Sequence, residues 1–257
     1  MSKRILVISA VFVSLFAMVS GAFAATVMDK AVITVGTEGT WPPYEFYDED
    51  NNLTGFDIEM VAAIGEKMGK EVKVVDMAFD GLLPALISGK IDLIAAGMHS
   101  TAERKKRVDF SNVYSIADTA FIVRNDDNSI NGLGDLSGKI VAVQLGTTED
   151  IFMENQTDVK SEIKRYQKTV DAIRDLLLGR VDTVLIGTVV AKTYVEGDRF
   201  AGALKLAFRQ EVDKPDEGFA IALRKNDPQL LEALNAALAE LEKSGELDAL
   251  KEKYGLD

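Results

Sequence analysis

The sequence has no cysteine, one histidine and one tryptophan among its 257 residues. The absence of cysteine excludes disulfide bonds, thiol catalysis, cysteine-ligated metals and a lipid anchor attached to cysteine. Export is still compatible with this composition, because oxidising compartments permit disulfides without requiring them. One histidine and scattered acidic residues show no metal-ligand spacing, so we expect neither a metal nor a cofactor.

Positive charge is also scarce, with 29 Lys and Arg against 41 Asp and Glu and a net charge of −12. A field of this sign repels nucleic acid and anionic lipid headgroups. Because no basic patch is interleaved with aromatic residues, we exclude nucleic-acid binding.

Only one long hydrophobic run is present, and it lies at the start of the chain. It spans residues 5–19, follows Lys3 and Arg4, and precedes the small-x-small triplet Ala22-Phe23-Ala24. This pattern predicts a secretory signal peptide over residues 1–24, cleaved after Ala24. The alternative is a retained membrane anchor, but the run is shorter than the roughly 20 residues that a spanning helix needs. We therefore expect a free periplasmic protein.

The rest of the chain alternates short apolar segments with helical periodicity, which predicts an α/β fold with mostly parallel sheets. The predicted strands are 32–37, 72–77, 91–96, 119–124, 140–145, 162–167, 181–186, 204–207 and 218–224. The predicted helices are 56–68, 80–88, 101–107, 148–155, 170–178, 188–196, 228–243 and 246–253.

An internal repeat is the most informative feature of this pattern. Gly89-Lys90-Ile91-Asp92 and Gly179-Arg180-Val181-Asp182 each continue with four residues and a second glycine, Gly97 or Gly187. Each copy follows a leucine-containing helix and precedes another helix. We interpret the copies as one unit used twice, in which a glycine ends a helix and a second glycine opens the end of a buried strand. Chance similarity between two ordinary α/β units is the alternative.

Two similar α/β halves predict two lobes, with a hinge and a ligand cleft between them. The first lobe is predicted to comprise residues 25–118 plus 214–257, and the second residues 119–213, with crossovers near 114–118 and 212–217. Gly97 and Gly187 would then lie at strand ends facing the cleft, one from each lobe.

Two segments have the form of a strand end followed by a helix start. The first runs from Gly97 to Arg104, and the second from Leu145 through Thr147 and Thr148 to Glu149. Unpaired N–H groups at a helix N-terminus favour an anion, and a nearby guanidinium can grip a carboxylate with two hydrogen bonds. A surface arginine and an ordinary threonine cap are the alternatives.

Aromatic residues cluster after the first strand around Trp41, and Phe79 follows the second. These rings are suited to the walls of a ligand site, although a small satellite core is the alternative. His99 is the single histidine, and its place in the first turn favours a ligand contact over a structural role.

Several motifs together resemble the bacterial extracellular solute-binding proteins of family 3, the receptors of polar amino-acid ABC transporters. The motifs are Gly36-Thr37-Glu38, Trp41-Pro42-Pro43-Tyr44-Glu45-Phe46, Gly55-Phe56-Asp57, Phe79-Asp80-Gly81-Leu82-Leu83-Pro84-Ala85-Leu86, Gly97-Met98 to Glu103-Arg104-Lys105-Lys106, Asp109-Phe110-Ser111 and Leu145-Gly146-Thr147-Thr148. The resemblance covers nearly all of the chain after residue 24.

The resemblance implies the two-lobed, type II periplasmic-binding-protein architecture and a set of ligand contacts. Trp41 and Phe79 would be the aromatic walls, and Glu38 would contact the ligand's side chain. Gly97, His99 and Arg104 would clamp the carboxylate, with Thr147 and Thr148 contacting it from the second lobe. The full predicted set is Glu38, Trp41, Phe79, Gly97, Met98, His99, Arg104, Thr147, Thr148, Glu149 and Gly187.

The sequence departs from the family pattern at three of these positions. His99 replaces a Thr or Ser, and Glu149 replaces a Gly or Gln. Gly187 replaces the Asp that pairs with a ligand's α-ammonium group. We therefore predict that a standard α-amino acid binds weakly unless Glu38, Glu149 or water takes over that role.

These observations predict a monomeric periplasmic receptor that binds a small polar carboxylate, an amino acid or a derivative, and delivers it to the membrane permease of an ABC importer. The alternative is an enzyme on the same fold, a dehydratase of a cyclic carboxylate with Glu149 or His99 as general acid. A ligand-sensing partner of a chemoreceptor is a third possibility.

Overall fold

A computed structural model describes residues 26–116, 118–210 and 217–256. The predicted signal peptide and most of the second predicted crossover lie outside these ranges. The strands are β1 Val32–Thr37, β2 Thr40–Trp41, β3 Glu45–Tyr47, β4 Leu53–Thr54, β5 Glu71–Asp76, β6 Leu93–Ile94, β7 Val108–Phe110, β8 Thr119–Arg124, β9 Ile140–Gln144, β10 Glu162–Tyr166, β11 Thr183–Gly187, β12 Leu204–Gln210 and β13 Ala222–Arg224.

Eight α-helices accompany the strands in the described residues. They are α1 Phe56–Lys67, α2 Phe79–Ile87, α3 Ala102–Lys105, α4 Thr148–Asn155, α5 Thr169–Leu177, α6 Thr188–Glu196, α7 Pro228–Ser244 and α8 Glu246–Tyr254. No helix in this part of the chain is both long enough and apolar enough to cross a membrane.

Two five-stranded sheets form the centres of two lobes. The first sheet has the order β5-β1-β6-β13-β7, and the second has the order β10-β9-β11-β8-β12. In each sheet one strand opposes the other four, β13 in the first and β8 in the second. The predicted α/β fold with two mostly parallel sheets is therefore confirmed. The predicted lobe boundaries stay a prediction, because the chain between β12 and residue 217 is not described.

Buried aliphatic strands explain why each sheet forms. In β8 and β9 the central residues have almost no exposed surface, as expected for strands covered by helices on both faces. Helices α1, α2 and α7 pack on the first sheet or on each other, and α4, α5 and α6 pack on the second. One core cluster is confined to the first sheet and another to the second, while the largest cluster contains residues of both sheets. The loops at the strand ends are left to build the site.

The repeat has the same structural role in both lobes. Gly89 and Gly179 follow α2 and α5 with left-handed φ values of 75° and 69°. Asp92 accepts a hydrogen bond from the N–H of Thr34 in β1 (3.1 Å), and Asp182 accepts one from the N–H of Ile140 in β9 (2.7 Å). In both lobes the aspartate therefore joins the repeat to its neighbouring strand.

Some elements differ from the sequence prediction. Paired residues in β6 and β13 are fewer than predicted, although Asp92 and Ala95 still donate to carbonyls of β1 on either side of β6. Helix α3 ends at Lys105 because β7 begins at Val108. A small sheet of order β2-β3-β4 was not predicted, since its strands have only two or three residues each.

Candidate functional site

A pocket lies between the carboxyl-end loops of the two sheets. Nine of the eleven predicted site residues line it, namely Glu38, Trp41, Phe79, Gly97, His99, Arg104, Thr147, Thr148 and Glu149. Four lining residues were not predicted, namely Glu45, Ala96, Gln144 and Phe219. Of the remaining two predictions, Met98 is fully buried in the core around Leu82 and Ile94, and Gly187 lies next to Trp41 but is not among the lining residues.

Arg104 connects the two lobes at this pocket. It is only 7% exposed and donates one hydrogen bond to the carbonyl of His99 (2.8 Å) and another to the carbonyl of Gly146 (3.0 Å). Its guanidinium also lies 5.5 Å from the centre of the Phe79 ring. Burial lowers the pKa of Arg104 to about 10, and the nearby Glu149 carboxylate opposes that fall. The group therefore stays cationic at neutral pH, with further N–H donors available to a ligand carboxylate.

The second-lobe turn combines a helix cap with the pocket wall. The Thr147 hydroxyl accepts from the N–H of Asp150 (3.3 Å) and donates to the carbonyl of Gln144 (2.8 Å). It therefore caps α4, as the simpler alternative proposed, while the residue also lines the pocket. The first N–H groups of α4 have no partner within the helix and point towards its N-terminus. This arrangement is receptive to an anion beside Arg104.

The charges of Glu149 and Arg104 both act on the imidazole ring of His99, in opposite directions. The Nδ1 atom of His99 lies 2.8 Å from the carbonyl oxygen of Glu217, and its ring packs edge-on against Phe219. A carbonyl only accepts, so Nδ1 carries a proton and Nε2 is an acceptor in the neutral ring. Burial lowers the pKa of His99, against the opposing effect of Glu149, so the neutral ring is favoured at neutral pH.

Glu38 is held at another part of the pocket by contacts from both lobes. Its carboxylate accepts from the Thr40 hydroxyl (2.9 Å) and from the side-chain amide of Gln144 (2.9 Å), which belongs to the second lobe. Burial raises the pKa of Glu38, and these hydrogen bonds partly offset the rise. A cationic or N–H-rich ligand group would stabilise the buried carboxylate further.

Trp41 lies between the second glycines of the two repeat copies. A Cβ atom placed on Gly97 would lie 3.2 Å from its Cδ1 and Nε1 atoms, and one on Gly187 would lie 3.4 Å from its Cζ2 atom. The Nε1 donor is buried and has no partner among the described residues. The single tryptophan is thus a wall of the pocket that contacts both lobes.

Two buried acids support the first-lobe turn from behind. Asp57 accepts from the N–H of Gly97 (2.8 Å) and from the Tyr114 hydroxyl (2.7 Å). Burial raises the pKa of Asp57 to about 6 and that of Glu45 well above its usual value, and the nearby charge of Asp57 adds to the rise at Glu45. The protonated form of Glu45 is therefore favoured.

The residues that the sequence reasoning missed had weak signals. Gln144 ends β9 directly before the predicted turn, so its position alone could have indicated a cleft contact. Glu45 belongs to the Trp41 to Phe46 motif, but its role depends on the unpredicted small sheet. Phe219 reaches the pocket only because the chain returns from the second lobe to hydrogen-bond with Ser115.

Comparison with known proteins gives consistent matches over almost the whole chain. The profile of the family described as bacterial extracellular solute-binding proteins, family 3, matches residues 33–257. The arginine-binding extracellular protein ArtP of Bacillus subtilis (strain 168) is 37% identical over 227 residues, which cover 88% of this chain and 86% of that protein. The L-cystine-binding protein TcyJ of Escherichia coli (strain K12) is 34% identical, covering 89% and 84%.

A solved structure agrees with these sequence matches. An ancestral arginine-binding protein bound to arginine superposes with a TM-score of 0.83 at 41% identity, covering 88% of this chain and 98% of that one. At this identity the likeness extends beyond the fold to much of the sequence that builds it.

Proposed function

The chain belongs to the bacterial extracellular solute-binding proteins, family 3, and from that premise we propose that it binds an amino acid, or a derivative, with a cationic side chain. Relatives that bind arginine motivate arginine as the first probe. The observation that carries the proposal is the pocket's two separate charges. Arg104 offers a buried cation to a carboxylate, and Glu38 offers a buried acid to the ligand's other end.

The contacts between the lobes support closure around such a ligand. Arg104 bonds to Gly146, Glu38 bonds to Gln144, and the Tyr194 hydroxyl donates to the carbonyl of Thr40 (3.1 Å). Two of these three bonds involve residues that line the pocket. A ligand that ties Arg104 and Glu38 to the second lobe would therefore favour the closed form over an open one.

We extend the proposal to the protein's setting. The protein is exported through a signal peptide cleaved after Ala24, acts as a monomer without binding nucleic acid, and delivers its ligand to the permease of an ABC importer. Cleavage is tested by N-terminal sequencing of the periplasmic protein, and the oligomeric state by light scattering with and without ligand.

Binding is proposed in preference to dehydration of a cyclic carboxylate. A general acid must give up a proton at the working pH, and the neutral ring of His99 is favoured there by burial. Its Nδ1 proton is also engaged by the Glu217 carbonyl. The purified protein can be incubated with cyclic hydroxycarboxylates and the products analysed by chromatography. Loss of water from these compounds would support the enzyme instead.

The test is calorimetry on protein stripped of bound molecules by mild unfolding and refolding. Arginine, lysine, cystine and glutamine are compared with agmatine, which has the guanidinium group of arginine but no carboxylate. We expect arginine to bind with a Kd of about 1 μM or tighter, and agmatine to bind at least about 100-fold more weakly.

The variant Glu38→Gln isolates the acidic end of the pocket. We expect it to weaken arginine binding about 10-fold or more, because a charge-assisted bond contributes about 1.5–3 kcal/mol. Glu49→Gln, at an exposed site, is the matched control. Equal affinities of the wild type and Glu38→Gln for arginine would contradict the proposed role of Glu38.

A further inference from the structure

We propose that Glu149 is the residue that pairs with the ligand's α-ammonium group, in place of a side chain at position 187. This inference rests on the proposed function, because it assumes an α-amino acid in the pocket. It identifies a specificity-determining residue and distinguishes ligands with an ammonium group next to the carboxylate from those without one.

The geometry of an α-amino acid limits the candidates. Its ammonium and carboxylate groups are attached to the same carbon, so the acid that binds the ammonium must lie close to the cation that binds the carboxylate. Three acidic residues line the pocket, namely Glu38, Glu45 and Glu149. Of these, Glu149 is the acid whose charge acts on Arg104.

The other two acids, Glu38 and Glu45, are less suitable partners for the α-ammonium group. Glu38 accepts hydrogen bonds from Thr40 and Gln144. The charged groups that shift its pKa are Asp76 and Lys168, and not Arg104. Burial raises the pKa of Glu45 well above its usual value, so its protonated form is favoured and it is a poor partner for a cation. Glu149 is buried, and its carboxylate accepts from the hydroxyl of Thr148 (3.0 Å), which fixes its orientation without neutralising it.

Topology places Glu149 and Gly187 at the same edge of the second sheet. Strands β9 and β11 are parallel neighbours, with Val141 opposite Thr183 and Ala142 opposite Val184. Their carboxyl ends therefore meet at one edge of the second sheet, about 4.8 Å apart. Glu149 lies in the first turn of α4, which follows β9, so it belongs to the same edge of the second sheet as Gly187 at the end of β11.

The local charges favour a zwitterion. Arg104 and Glu149 are a buried cation and a buried anion in one pocket, and the two charged groups of an amino acid would complement both at once. Neutral His99 adds a hydrogen-bond acceptor for an ammonium group, because its Nε2 atom is an acceptor when Nδ1 bonds to Glu217. A carboxylate ligand without the ammonium would leave Glu149 unpaired in a desolvated site.

The experiment compares arginine with 5-guanidinopentanoate, which lacks only the α-ammonium group. In Glu149→Gln we expect arginine affinity to fall about 10- to 100-fold. Affinity for 5-guanidinopentanoate should stay within about 3-fold or rise, because a negative charge near its carboxylate has been removed. Glutamine and its desamino counterpart serve as a second pair.

Glu154→Gln is the matched control, since Glu154 lies on the same helix with a side chain that is 69% exposed. We also expect Gly187→Asp to restore arginine affinity at least about 10-fold in the Glu149→Gln background. The new Cβ would make only ordinary contact with Trp41 at 3.4 Å.

Each outcome separates this inference from the proposed function. An equal loss for arginine and its desamino analogue would mean that Glu149 only orients Arg104, and would overturn the inference. No change for either ligand, or a double variant without restored affinity, would overturn it too. If the wild type binds none of these ligands, the proposed function itself fails. Retained binding of 5-guanidinopentanoate shows that the variant is folded.

Discussion

The two copies of the repeat begin with the same structure and differ at their second glycine. In both lobes a glycine stops a helix, and an aspartate bonds to the neighbouring strand. At the second glycine the copies diverge, because Gly97 has a φ of 51° and Gly187 a φ of −55°. Gly97 therefore occupies the left-handed region that other residues adopt only at a cost, whereas the backbone at Gly187 suits any L-amino acid.

The same residue thus meets different demands in the two lobes. The N–H of Gly97 is held by Asp57, and a side chain there would press on Trp41 at 3.2 Å. At Gly187 neither backbone strain nor a close contact requires glycine, since a Cβ would lie 3.4 Å from Trp41. The backbone conformation therefore requires glycine at position 97 but does not require it at position 187.

The largest effect should come from the cation that the first turn contributes. Arg104→Ala removes a buried guanidinium together with its bonds to His99 and Gly146. We expect ligand affinity to fall roughly 100-fold or more, because a desolvated charge pair is worth several kcal/mol. Calorimetry with arginine measures the loss, and Arg107→Ala, at an exposed position after α3, is the control. Unchanged affinity would assign the carboxylate to the second turn alone.

Gly97→Ala tests the conformational side of the comparison. A non-glycine residue in the left-handed region costs about 1–2 kcal/mol, and the added methyl group also approaches Trp41. We therefore expect the free energy of unfolding to fall by about 1–2 kcal/mol and ligand affinity by about 10-fold. Urea unfolding and calorimetry report the two quantities separately. A variant as stable as the wild type would contradict the requirement for glycine.

Glu45 and Asp57, the two buried acids near Gly97, make the stability of the protein depend on pH. The folded-state pKa values of Glu45 and Asp57 are raised, to about 6 for Asp57. Above a pH of about 4 the folded state then binds more protons than the unfolded state, so stability falls as pH rises through the folded-state values. Glu45→Gln replaces the titrating carboxyl group with an uncharged amide of similar shape.

We expect Glu45→Gln to be more stable than the wild type by about 1–3 kcal/mol at pH 8, with the difference vanishing near pH 4. Denaturant unfolding across this range provides the measurement, with Glu49→Gln as the exposed control. A difference that grows towards low pH would have the wrong sign, and would show that Glu45 is ionised in the folded protein.

The sequence predicted the longer elements well, and physical reasons explain where it did less well. Helices α4 and α6 have the predicted bounds, since Thr147 caps α4 and a glycine at the end of a buried strand precedes α6. The strands β2, β3 and β4 are too short for a periodic signal. Residues with strong local chemistry, such as Arg104, were found, and residues placed by long-range return of the chain, such as Phe219, were not.

The repeat shows the same limit at a single position. From the sequence, Gly97 and Gly187 were interpreted as equivalent points where the backbone must stay open. That interpretation holds for Gly97 but not for the backbone at Gly187, because φ depends on the turn that follows, and the two following segments differ. His99 and Ser100 lead into a short helix, whereas Gly187 is itself the residue before α6.

The smallest effect is expected at Gly187, and it is the sharpest test of the comparison. Gly187→Ala places a methyl group in ordinary contact with Trp41 at an unstrained φ of −55°. Replacing such a glycine restricts the unfolded chain, so we expect the free energy of unfolding to change by between about 0 and +1 kcal/mol. Arginine affinity should stay within about 3-fold of the wild type, because alanine supplies no acid to compete with Glu149. Urea unfolding and calorimetry, run beside Gly97→Ala, decide the matter: a loss as large as at Gly97 would show that the two turns share one requirement after all.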